Sequence, residues 1–223
     1  MKTTILGIDL GGCMSGNSAY AFVQWHNKKA HIIELVKEPK HKEYHACAQF
    51  LEEMLSKHPV DAICIDAPFC LPQALIHPNY KPIEREAKGE IANPYLFRFT
   101  DYWLYKRYGL RPMPPAGDRI GRLTARMVQL LQKLSYKAPN VQVNGMSLPI
   151  YEVYPKQIAL ALGYEKYKEK TKTILKNFEI DTHLDEHLVD AVLSSYCGSE
   201  ILKGNTIMPP DETKDEGWCY PLT

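Results

Sequence analysis

Four acidic residues stand at the ends of apolar stretches in this chain of 223 residues: Asp9, Asp66, Glu152 and Asp190. Asp9 closes Thr4-Ile5-Leu6-Gly7-Ile8, and Asp66 closes Ala62-Ile63-Cys64-Ile65. Glu152 follows Leu148-Pro149-Ile150-Tyr151, and Asp190 lies between Val189 and Ala191 in a helical pattern. A carboxylate beside buried apolar groups loses hydration, at a cost of roughly several kcal/mol unless something compensates. Four such positions in one small domain point to a shared compensator, and a divalent cation is the simplest one. Two metal ions about 4 Å apart cleave phosphodiesters, one activating water and the other stabilising the leaving oxygen. Oxygen ligands favour Mg²⁺, and one histidine ligand would admit Mn²⁺.

Taken singly, each residue has a plainer reading. Asp9 and Asp66 could cap helices or bind loop amides at strand ends, and Asp190 could pair with an arginine. His187 precedes Asp190 by one helical turn and shares a face with it and Ser194, so it is either a metal ligand or a histidine on the helix surface. His41 and His45 also have metal spacing, but without an evident third ligand they fit an exposed helix face.

The elements that must position these residues follow from periodicity. Thr4–Asp9 reads as a buried strand. Ser18–Trp25 and Lys29–Val36 read as two more, with His26-Asn27-Lys28 as a hairpin turn. Glu43–Lys57 has helical spacing, and Asp61–Ile65 is a continuous apolar strand. Three strands joined by short turns form an antiparallel meander. A helical crossover then sets the fourth strand parallel to the first on its free edge. Asp9 and Asp66 would then share the carboxyl ends of neighbouring parallel strands, where open α/β sheets place ligands. Leu148–Val153 is a fifth strand. Asp118–Tyr136, Ile158–Leu162 and Glu165–Phe178 have helical patterns, and Thr182-His183-Leu184-Asp185 resembles a capping box for a last helix reaching about Leu202.

Residues 70–115 stand apart, rich in proline and in rings such as Tyr95, Phe97, Phe99, Tyr102 and Trp103. So many rings indicate a structured insertion rather than a linker. Basic residues gather there and just beyond. Arg98, Arg119, Arg122 and Arg126, with the interleaved rings, could bind phosphates and bases, and Lys156 could face phosphate. Alternatively these charges form a solvated helix face, the rings belong to the core, and Arg98 pairs with Asp101. Trp218 is expected to anchor the C-terminal tail by packing.

Composition sets the frame. Hydrophobic residues make up 45% and charged residues 24%, ordinary for a soluble globular protein. A net charge of +1 gives no global pull toward nucleic acid, so a basic footprint must be local. Neither a secretory signal nor an apolar run long enough for a bilayer is visible, and no membrane role is expected. Six scattered cysteines without a CxxC pair read as reduced thiols of a cytoplasmic protein.

Several motifs occur in a fixed order: Gly7-Ile8-Asp9, Ile65-Asp66-Ala67-Pro68 with Leu71-Pro72, Tyr151-Glu152-Val153-Tyr154-Pro155, Leu188-Val189-Asp190-Ala191 and Glu216-Gly217-Trp218. The set resembles the domain-of-unknown-function 429 family, predicted nucleases of RNase H-like fold, over nearly the whole chain. His187-Leu188-Val189-Asp190 also resembles the helix motif of RuvC-type resolvases, where a His or Asp precedes a ligand Asp by three. The resemblance implies a metal-dependent nuclease-like site at Asp9, Asp66, Glu152 and Asp190.

The expectation is therefore an α/β, RNase H-like mixed five-stranded sheet flanked by helices, with a Pro- and aromatic-rich insertion. Its activity would be Mg²⁺- or Mn²⁺-dependent phosphodiester hydrolysis on DNA or RNA. Asp9 would bridge the metals, Asp66 and Asp190 would complete the site, and Glu152 would be a ligand or orient water. The modest charge leaves a small-molecule or nucleotide substrate open. Two alternatives stand beside this. Gly7-Ile8-Asp9-Leu10-Gly11-Gly12 resembles the first phosphate loop of the sugar-kinase and actin superfamily, whose members are phosphotransferases. A non-catalytic nucleic-acid-binding module on the same fold is the other.

Overall fold

Apolar alternation along the first strand decides how the sheet is covered. The computed structural model describes residues 2–12, 15–40, 46–86, 88–164, 171–180, 184–213 and 216–223. Strands β1 (Thr3–Asp9), β2 (Ala19–His26) and β3 (Lys29–Lys37) form the meander, α1 (Ala46–Lys57) crosses over, and β4 (Ala62–Asp66) follows. The inserted segment carries α2 (Gln73–Ile76) and α3 (Phe99–Tyr108), and α4 (Asp118–Lys133) comes next. A hairpin of β5 (Asn140–Val143) and β6 (Met146–Glu152) leads into α5 (Pro155–Ala161), α6 (Thr171–Asn177) and α7 (Glu186–Leu202).

The sheet order is β3-β2-β1-β4-β6-β5, with β1, β4 and β6 parallel and the others antiparallel to their neighbours. An antiparallel meander followed by parallel crossovers is the RNase H-like arrangement. The expected five strands are six, because β5 pairs with the start of β6. Its four residues are too short to show strong periodicity. The turn between them is Asn144-Gly145, both with positive φ, a hairpin signal that was present in the sequence.

Side chains of β1 point alternately to two separate cores. Leu6, Ile8 and Leu10 meet Leu51 and Met54 of α1 and Met127 and Leu130 of α4. Ile5 on the other face meets Val189, Val192 and Tyr196 of α7, along with residues of α5 and α6. Each fully buried large apolar side chain contributes roughly 1.5–3 kcal/mol. Helix α7 lies unusually close to the sheet. A Cβ on Gly7 would fall inside the backbone of Ala191 and Ser195, and one on Gly198 would come within 2.6 Å of Cys64 Sγ and of Ile5 Cγ2. Those two glycines let the helix backbone rest on β1 and β4.

The N-terminus of α7 is fixed differently from expectation. Thr182 and His183 lie outside the described residues. The cap is Asp185, whose Oδ1 accepts from the amides of His187 and Leu188 at 3.1 and 3.2 Å, while its Oδ2 pairs with Lys37 at the end of β3. The insertion is folded onto the domain, with Phe97, Arg98, Thr100, Asp101 and Leu104 buried. Trp218 packs against Trp103 with ring centroids 5.3 Å apart, and its Nε1 donates to Ile207 O, so the tail is anchored as expected. Five cysteines are free thiols, and among the described residues no helix is long and apolar enough to cross a membrane. His41, His45 and Cys13 lie outside the described residues.

Candidate functional site

The register of β1 against β4 places Asp9 directly beside Asp66. Paired residues of adjacent parallel strands point to the same face, and strands lie about 4.8 Å apart, so these carboxylates are neighbours. Both follow the parity of Ile5 and Cys64, which face α7. The first turns of α7 then bring His187 and Asp190 to the same place. His187 Nδ1 lies 2.6 Å from Asp9 Oδ2. Asp190 Oδ1 is buried without a hydrogen-bond partner.

Electrostatics mark this cluster as uncompensated. Burial, then the negative charges of Asp9, Asp190 and Glu152, push the Asp66 carboxyl well above the usual carboxylate range. Burial and the nearby Asp9 push Asp190 up to about 8. Burial raises Asp9 as well, against the opposing pull of its His187 hydrogen bond. No basic side chain among the described residues neutralises Asp66 or Asp190. The plainer reading of Asp190, a partner for an arginine, does not describe it. The side chains are not closed around one point: among the described residues no three acidic, histidine or cysteine groups already form a metal-holding set. Clustered carboxyl groups raise one another's pKa values, and a cation among them would favour their ionised forms.

Glu152 belongs to a different cluster. Its register partner is Ile65, and Ile150 on its own strand faces the α1–α4 core, so Glu152 leaves the sheet on the face opposite Asp66. There Arg98 donates to both its oxygens, at 2.7 Å to Oε2 and 2.6 Å to Oε1, and the Phe69 amide donates to Oε2 at 2.9 Å. Arg98 also donates to both oxygens of Asp101, at 3.1 and 2.9 Å. Gly217, at φ +72°, passes against this network, and a side chain there would meet Arg98 and Glu152. Its neighbour Glu216 accepts from the Phe99 amide at the start of α3. The Glu216-Gly217-Trp218 motif thus ties the tail to the insertion.

Two residues expected on a nucleic-acid surface are interior instead. Arg98 is 1% exposed and Arg126 2%, and each has buried carboxylate, carbonyl or hydroxyl oxygens accepting from its terminal guanidinium nitrogens. Arg126 donates to Gly11 O, to Ser18 Oγ at 2.9 Å and to Glu38 Oε2 at 2.6 Å, clamping the loop that follows Asp9. The shared helix face of Arg119, Arg122 and Arg126 therefore does not act as one surface. Arg119, Arg122 and Lys156 are exposed, and Arg122 makes only a loose 3.9 Å pair with Asp118. Of the rings, Phe97 and Tyr102 are buried while Tyr95 is exposed. The Gly11 amide, which a phosphate loop would offer to its anion, donates to Ser18 Oγ.

Asp9, Asp66 and Glu152 all reach a cleft of about 260 Å³ over the carboxyl ends of β1, β4 and β6. Its walls are Leu104 of α3, Pro112 and Met113, Ile120 and Leu123 of α4, and Tyr154. Tyr154 stands in the Tyr151–Pro155 motif, but nothing in the sequence marks it as a site residue. Burial and the charge of Asp66 push its hydroxyl pKa up, so it remains a proton donor. The apolar wall residues were not legible as site residues, since their spacing is that of any core helix.

The model of the family described as a protein of unknown function (DUF429) matches residues 7–215, and the chain belongs to that family. No curated protein matches it. Among solved structures, Thermus thermophilus RuvC in complex with Holliday junction substrate is similar at 14% identity and TM-score 0.49, over 93% of this chain and 99% of that one. The Mn-soaked, inhibitor-bound nuclease domain of human cytomegalovirus terminase is similar at 11% identity and TM-score 0.34, over 100% of this chain and 89% of that one. A Streptococcus pneumoniae ROK family protein in complex with sucrose is similar at 13% identity and TM-score 0.28, over 77% of this chain and 38% of that one. At such identities the chemistry has to be argued from this chain's own residues.

Proposed function

We propose that this DUF429 protein is a divalent-metal-dependent phosphodiesterase acting on nucleic acid, with Asp9, Asp66 and Asp190 as the ligands of Mg²⁺ or Mn²⁺. One observation carries the reading: three carboxylates from β1, β4 and α7 gather at the strand ends, and among the described residues only His187, at Asp9, offers them a basic partner, with none for Asp66 or Asp190. The donor set fits a hard cation, since it offers carboxylate oxygens, one of them a buried oxygen with no other partner. Bound there, such an ion supplies charge stabilisation for phosphoryl oxygens and lowers the pKa of water.

The remaining work falls to the chain's own groups. Asp9 orients the His187 ring through Nδ1, which leaves Nε2 to take a proton from an attacking water. His187 therefore serves as a proton acceptor in this reading rather than as a ligand. Tyr154 keeps its proton and can donate to a phosphate oxygen. Glu152 holds Arg98 and through it the insertion that walls the cleft, so its part is positioning.

Asp9→Asn tests the assignment. Metal-dependent hydrolysis is expected to fall by about a hundredfold or more, with the melting curve unchanged. Full activity would remove Asp9 from the reaction. Independently of turnover, Mn²⁺ at a hundred times its Kd should stabilise the protein by about 2.7 kcal/mol, and Asp66→Asn should abolish that gain.

A further inference from the structure

The cleft above the carboxylates is acidic below and apolar around. Its aliphatic wall, formed by Leu104, Pro112, Met113 and Leu123, comes from the insertion and the start of α4. The one cation among its described lining residues is Arg98, and its guanidinium is divided between Glu152 and Asp101. A surface that grips duplex nucleic acid neutralises a row of phosphates with lysine and arginine. This cleft offers no such row. What it offers is a concavity of about 260 Å³, just under the usual range for small-ligand pockets, with one aliphatic wall against which a planar ring can lie. Enzymes that work on one nucleotide unit take its base out of the stack into a pocket where aromatic or apolar side chains cover it.

We infer that the cleft admits one unpaired nucleotide unit, its base against the Leu104–Met113–Leu123 wall and its phosphate toward Asp9 and Asp66, and that it rejects paired duplex. The inference rests on the phosphodiesterase reading and narrows its substrate. Met113 guards the mouth, being 60% exposed while still lining the cleft. The same chemistry could be presented by the frayed end of a single strand or by a free dinucleotide.

The test uses the full chain with Mn²⁺ and three probes: a dinucleotide, an end-labelled single strand, and that strand in a blunt duplex. Hydrolysis of the single strand from its end, of the dinucleotide, or of both, with the duplex roughly tenfold slower or worse, is expected. Release of single nucleotides identifies chain ends as the source, whereas turnover of the dinucleotide alone identifies free dinucleotides. A second readout does not depend on turnover. An unpaired 2-aminopurine end should change its fluorescence on addition of the protein, and the same base locked within the duplex should not. Met113→Ala should raise the KM for the accepted probe by roughly tenfold with an unchanged melting temperature, the scale of lost apolar pocket contact. Internal cleavage of the duplex as fast as of the single strand would overturn the inference and leave the metal-site reading standing. Failure to hydrolyse any probe, with no Mn²⁺ bound by wild type, would overturn both. Failure to hydrolyse any probe with Mn²⁺ bound would overturn the inference and the catalytic reading, leaving only a cation site.

Discussion

Asp66 and Glu152 end neighbouring strands of one sheet and line one cleft, yet their surroundings differ in kind. Glu152 receives both arms of Arg98 and a backbone amide, so its charge is balanced where it stands. Asp66 is influenced by three negative groups and, among the described residues, no positive one. Strand register produces the contrast, because Glu152 pairs with Ile65 and therefore faces away from the partner of Asp9. A buried charge with its counter-charge built in is structural. A buried cluster without one is what the proposed cation site requires.

The largest effect should come from breaking the balanced side. Arg98→Ala leaves Glu152 and Asp101 buried and unpaired, and urea unfolding should report a loss of about 3–5 kcal/mol. Arg98→Lys restores one charge without the fork and should recover only part of it. A loss below about 1 kcal/mol in Arg98→Ala would show that solvent already screens the pair, and the contrast would fade.

The unbalanced side should respond in the opposite sense. The Asp190 carboxyl is pushed up to about 8, whereas in the unfolded chain it titrates near about 4. The unfolded state thus releases the proton first, and the stability of the metal-free protein should fall as pH rises from about 4 to about 8, then level off. Asp190→Asn removes that loss and should stabilise the metal-free protein at pH 8 by on the order of 2 kcal/mol, with little change at pH 4. Thermal melts across this range in chelator check it, and destabilisation at pH 8 would mean that Asp190 has an unseen counter-charge.

The smallest effect belongs to the exposed cations. Replacing Arg119 and Arg122 together with alanine should leave stability unchanged and reduce the salt dependence of single-strand binding by a log–log slope of roughly 1–2. An unchanged slope would assign both to a solvated helix face, leaving Lys156 as the exposed cation still to be tested.

Much of the frame is legible in the sequence. Apolar runs closing on Asp9 and Asp66, joined by turns and one amphipathic helix, led to a meander, a parallel fourth strand and adjacent carboxylates, and the observed register pairs those two residues. Other parts were harder to read for identifiable reasons. β5 is four residues long and was betrayed only by its Asn144-Gly145 turn. Arg98 and Arg126 carry the same side chain as a phosphate-binding arginine, and a linear pattern does not reveal that Glu152 and Glu38 wait for them from distant segments.

The sequence by itself determined which carboxylates end strands or sit on the last helix, because burial and periodicity are local properties of the chain. It also carried the family, through ordered motifs that span most of its length. Tertiary structure alone decided which carboxylates are neutralised, which face each one takes and what closes over them. Those outcomes depend on strand register and on long-range pairs such as Arg98–Glu152, and charge compensation exists only between groups that folding brings within a few ångströms.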